Sequence, residues 1–170
     1  MTNHLHLVAV PSTPLALSQA LRDTHSAYAA HVNRQQGASG HLWQGRFYSC
    51  VLDDAHLWAA VRYVERNPVR AGLAEEAVLY RWSSASAHAR GAPHPLLSPA
   101  FPPPGVIPNW AAWLQEEEAH TSDYLRQRTH VGRPCGDASF VTALETLLNR
   151  RLRPLTRGRK PKEGKVDGNS

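Results

Sequence analysis

The stretch 91–108 most limits what this chain can become. Prolines stand at positions 93, 95, 99, 102, 103, 104 and 108, with Gly91 and Gly105 among them. Each proline lacks a backbone N–H and locks φ, so neither a helix nor a central strand runs through such a segment. No apolar period bridges it, and the stretch reads as a linker or extended arm. The chain therefore divides into a core at 1–90, this linker, a helical C-terminal extension at 109–152 and a basic, disordered tail at 153–170.

Charge follows the same division. Residues 1–125 hold 8 Arg and 10 Asp plus Glu, a net of −2, whereas residues 126–170 hold 11 Lys plus Arg and 4 Asp plus Glu, a net of +7. A basic end on a mildly acidic body points to a polyanion partner, most often nucleic acid. Cys50 and Cys135 form neither a disulfide framework nor a zinc-type spacing, which fits a reduced cytoplasmic compartment. No apolar run is long enough to cross a membrane, and the first residues lack a signal-peptide profile.

Within the core, residues 1–10 are filled by apolar residues, with Val8 and Val10 recurring before the breaker Pro11, the pattern of a strand. His4 and His6 then share one face, with Leu5 and Leu7 on the other. Ser12 or Thr13 with Pro14 opens a helix whose stripe is Leu17, Ala20, Leu21, Thr24, Tyr28 and Val32, ending near Gly37. Phe47 to Leu52 reads as a second strand. Asp53 or Asp54 caps a helix over 55–66 with Leu57, Ala60, Val61 and Val64 inward, and Asn67-Pro68 stops it. Trp82 is expected tucked against the domain. In the extension, one helix is expected from Trp110 to Arg126 with Glu116-Glu117-Glu118 on its wet side. Asp137 caps a second, with Phe140, Leu144, Leu147 and Leu148 on its packing side.

Tyr63 and Asn67 lie four residues apart on one side of their helix. Facing the histidine strand, they would complete a set of two imidazoles, an amide oxygen and a phenol. Such a set suits a divalent ion, Mg2+ or Mn2+, and phosphate chemistry with the phenol as nucleophile. The same residues also read as a packed tyrosine on an amphipathic helix and two surface histidines.

Five segments resemble one protein family. Met1-Thr-Asn-His4-Leu5-His6-Leu-Val is similar to the His-hydrophobic-His strand of single-tyrosine transposases. Gly40-His-Leu-Trp-Gln-Gly-Arg46-Phe-Tyr48 and Tyr63-Val-Glu-Arg-Asn-Pro-Val-Arg70-Ala-Gly-Leu73 resemble the loop and tyrosine-helix motifs of the REP-associated branch. Arg128 to Asp137 and the basic 152–160 resemble its tail. The resemblance implies a ferredoxin-like (RRM-like) α+β core, with His4, His6 and Asn67 as metal ligands and Tyr63 as nucleophile. It implies cleavage and rejoining of single-stranded, hairpin-flanked DNA through a 5′-phosphotyrosine link. Arg46, Arg70, Arg150, Arg151, Arg153, Arg157, Arg159 and Lys160 are the candidate nucleic-acid contacts.

The family places a strand and a helix before its histidine strand, and here Met1 stands three residues from His4. The expectation is an N-terminally truncated core, unstable or inactive alone, which a strand exchanged from a second copy in a homodimer would rescue. Tyr48 is a rival nucleophile without a ligand partner on a helix. The alternative function is a catalytically inactive DNA-binding remnant that grips DNA through its arginines. A His-x-His hydrolase barrel needs roughly 250 residues, and the chain length argues against it.

Overall fold

The computed structural model describes residues 3–103, 105–116 and 119–154, with the side chains of residues 119–121 left out. Six α-helices and one 3-10 turn follow one another: α1 (Ala16–Gln36), α2 (Asp54–Arg70), the turn Ala77–Leu79, α3 (Ala85–Arg90), α4 (Trp110–Gln115), α5 (Ala119–Val131) and α6 (Ala138–Leu148).

The expected α+β ferredoxin-like core is overturned, because the described residues form helices and no sheet. A strand exists only when a neighbour runs beside it to take its N–H and C=O groups. Residues 4–10 take no strand conformation. The segment 47–52 meets extended chain at one point, where Leu52 bridges Cys135 in parallel. There Cys135 N–H donates to Val51 O at 2.7 Å and Asp53 N–H to Cys135 O at 3.1 Å.

α2 is the centre of the fold, with a packed cluster on each side. On one side Val61 packs with Ala77, Ala85, Trp110 and Leu114, joined by Leu57, Trp58, Phe101, Ile107 and Trp113. On the other, Ala60 packs with Leu125 of α5 and Cys135, joined by Cys50, Leu52, Tyr63 and Tyr124. α2 starts where Asp53 accepts from His56 N–H at 2.8 Å, as a capping aspartate should. It runs past the expected stop to Arg70, carrying Pro68 in its last turn. There the missing N–H deprives only one carbonyl, and the buried ring packs instead.

The helix expected over Trp110 to Arg126 is broken in two. Arg66 of α2 donates to the carbonyls of Gln115 and Glu116, and Arg62 pairs with the Glu116 carboxylate at 3.3 Å. With its last carbonyls taken by Arg66 and the Glu116 carboxylate by Arg62, α4 ends and Glu116 turns extended. Glu117 and Glu118 lie outside the described residues. In the proline-rich stretch, Phe101 stacks on Trp58 at 5.3 Å and Ile107 joins the core.

Three expected burials do not occur. Trp82 is 75% exposed, with Arg81 over its ring. α1 buries none of its residues, and Tyr28 in its expected inner stripe is exposed. α6 is capped by Asp137, which accepts from Phe140 N–H at 2.8 Å, but Leu147 and Leu148 stay exposed. Glu145 of α6 accepts from the backbone N–H of Leu152 and Arg153, clasping the chain that follows. No helix among the described residues is long and apolar enough to cross a membrane.

Candidate active site

The second half of α2 projects Tyr63, Asn67 and Arg70 at spacings of four and three, which places them along one side of the helix. The irregular chain before α1 lies against this side. The His6 ring meets the Tyr63 ring edge-on, with centroids 5.6 Å apart, and His4 meets His6 edge-on at 5.0 Å. His6 therefore reaches the tyrosine, with His4 stacked edge-on behind it, without the strand expected from the sequence to carry them. His4 shares a hydrogen bond of 2.7 Å with Asn3.

Arg70 holds the other side of the ring. Its guanidinium lies 4.1 Å from the Tyr63 ring centroid, and Nη2 donates to Tyr63 O at 3.2 Å. Nη1 donates to Ser122 Oγ of α5 at 3.1 Å. A cation over an aromatic face is attracted by the ring quadrupole, so Tyr63 and Arg70 orient one another. Burial lowers the Arg70 pKa, Tyr63 opposes that, and Arg126 and Arg66 add repulsion. The guanidinium still carries its charge at any ordinary pH.

His6 is half-buried, and its Nε2 is buried with no hydrogen-bond partner among the described residues. Burial first, then repulsion from His4, Arg70 and Arg126, holds its pKa below the ordinary histidine value. The neutral imidazole is thereby favoured, the form that ligates metal. An orphaned ring nitrogen beside a second imidazole fits the expected divalent ion, with the Asn67 amide oxygen as third donor. Asn67 is buried one turn beyond Tyr63, on the same side of α2. No three His, Cys, Asp or Glu side chains among the described residues gather as a metal cage. The available donor set is the imidazole pair with an amide.

The candidate nucleic-acid contacts separate. Arg70 belongs to the site, while Arg46 is exposed in the loop between α1 and α2. Arg150 and Arg151 are exposed after α6, and Arg151 donates to Pro154 O. Arg153 is committed within the fold: it pairs with Glu145 and donates to Ala138 O and Thr142 Oγ1. Arg157, Arg159 and Lys160 lie outside the described residues. The rival Tyr48 stacks on His130 at 5.4 Å, away from a histidine pair. Sequence reasoning missed Ser122, whose role in holding Arg70 depends on α5 packing against α2.

Comparison with family models, with curated proteins and with solved structures finds no match to this chain.

Proposed function

We propose that this chain cleaves and rejoins single-stranded DNA through Tyr63, in the manner of the REP-associated tyrosine transposases that its motifs resemble. The observation that carries the reading is the ring-to-ring contact of His4, His6 and Tyr63, under the Arg70 guanidinium. A divalent cation, Mg2+ or Mn2+, held by His4 and His6 with Asn67 would supply Lewis-acid polarisation of a phosphate oxygen.

Tyr63 Oη attacks phosphorus, the P–O bond to the 3′-oxygen breaks, and the departing oxygen takes up the proton that the phenol loses. The DNA is left joined to Tyr63 through its 5′-phosphate, with a free 3′-hydroxyl. In rejoining, a 3′-hydroxyl attacks the same phosphorus and the bond to Tyr63 breaks. One ester is exchanged for another, so no external energy source is needed. Arg70 places positive charge where the phosphate gathers negative charge. The partner is DNA, and the work is cytoplasmic.

Hairpin-flanked single-stranded oligonucleotides incubated with the protein and Mg2+ or Mn2+ test this reading. An adduct that survives denaturing electrophoresis is expected from the wild type and from Tyr48→Phe. Tyr63→Phe should give none and still bind DNA. An adduct from Tyr63→Phe sinks the reading. A second reading, a DNA-binding remnant without cleavage, draws support from residues 4–10, which take no strand conformation to aim His4 and His6. Salt-dependent binding with no adduct from the wild type selects it.

A further inference from the structure

We infer that Arg126 of α5 joins Arg70 of α2 to form a two-armed cradle for a phosphodiester beside Tyr63, so that the C-terminal extension completes the site. The inference rests on the proposed reading for its substrate, single-stranded DNA, but its geometry stands separately.

α5 packs directly against α2, and Leu125 of α5 is buried against Ala60. Ser122 accepts from Arg70 Nη1, which fixes the face that α5 turns toward the site. Arg126 stands four residues after Ser122, so it emerges from that same face one turn along. Its repulsion is felt by both His6 and Arg70, which puts its charge within the field of the site. The nearest acidic group, Asp123, sits 3.8 Å from Arg126 Nη1, and both side chains are largely exposed. An exposed pair at that distance is weak and yields to a better acceptor.

The charges facing the group are then His4 and His6 from the N-terminal segment, Arg66 and Arg70 from α2, and Arg126 and Asp123 from α5. Arg66 is engaged with the end of α4. Arg70 stands over the tyrosine, and Arg126 lies on the α5 face that carries Ser122, with Asp123 the acidic group beside it among the described residues. A phosphate oxygen is a stronger, charge-assisted acceptor than the Ser122 hydroxyl or the Tyr63 carbonyl that Arg70 now engages, so a phosphodiester draws both guanidinium forks to itself.

The ligand chemistry is a phosphate group, and its two sources are a DNA backbone and free phosphate. Inorganic phosphate and a short oligothymidylate are titrated separately into the full chain, following the imidazole NMR resonances of His4 and His6. Both should shift those resonances, the oligonucleotide at lower concentration. Arg126→Gln should weaken each titration about tenfold, the loss of one charge-assisted contact pair. Arg126→Lys should recover part of the affinity, and Arg22→Gln, on exposed α1, should leave it unchanged. Arg126 is exposed, so its substitution leaves the packing intact. Unchanged titrations in Arg126→Gln overturn the cradle, as does an equal loss in Arg22→Gln. The readout needs no cleavage. A wild type that forms no adduct but loses phosphate binding in Arg126→Gln ends the nuclease reading and upholds the cradle.

Discussion

Asp53 shows how much one carboxylate can hold. It caps α2, takes the His56 ring at 2.6 Å, and accepts from Asp137 N–H at 3.0 Å across the chain. Burial pushes its carboxyl up, but the hydrogen bonds from His56 and Asp137 outweigh that and hold it below the ordinary value. A carboxylate depressed in the folded state contributes stability present above its unfolded pKa and lost as pH falls through its folded one. Melting temperature should therefore fall on acidification below about pH 4. Asp53→Asn should be less stable at pH 7 and show a flatter acid limb by circular dichroism; an unchanged limb sinks the assignment. Beside it, a Cβ on Gly136 would collide with the Phe140 ring and lie 2.9 Å from Asp53 Oδ2. Gly136→Ala is expected to destabilise by about 1–3 kcal/mol, measured by urea unfolding. Burial, with Cys50 nearby, pushes the Cys135 thiol up to about 12. Cys135 should resist iodoacetamide at pH 8 until denaturant is added.

Among the elements, α2 was the most legible. Its capping aspartate and its stripe of Leu57, Ala60 and Val61 are local signals that the structure keeps. The same holds for the end of α1 at Gly37, whose φ of 61° suits glycine, and for the start of α6 at Asp137. What escaped reading depends on distant partners. The break between α4 and α5 is made by Arg62 and Arg66 from α2, and no local residue signals it. The expected strands need neighbours, which no stretch can supply for itself. Glu65 carries no signal in sequence, yet it is 1% exposed and receives Ser84, the His88 ring at 2.7 Å and Trp110 Nε1–H at 2.6 Å. It ties α2 to α3 and α4. Glu65→Ala leaves those donors buried without an acceptor and should cost about 3–5 kcal/mol, read from chemical denaturation. A loss below 1 kcal/mol would show that the three helices hold without it.

At the scale of the molecule, apolar surface is covered unevenly among the described residues. Much apolar surface lies in the first third: Leu5, Leu7, Val10, Leu15 and Tyr28 are each more than half exposed. Such surface binds apolar dyes, and 1-anilinonaphthalene-8-sulfonate fluorescence should rise on mixing with the folded chain. Removing residues 3–15 should lower that signal while leaving the helical circular dichroism of α2 to α6 in place. The candidate site divides in the same way. From sequence alone, Tyr63, Asn67 and Arg70 share a side of one helix, because a helix sets its own register through local hydrogen bonds. The capping aspartates, the glycine stop and the charge difference between the two ends follow from local chemistry too. Only the tertiary structure decided that His6, with His4 against it, reaches Tyr63 without a strand, that Ser122 anchors Arg70, and that Arg153 is spent on Glu145. Those contacts join residues far apart in the chain, and their partners are set by packing, which no local pattern encodes.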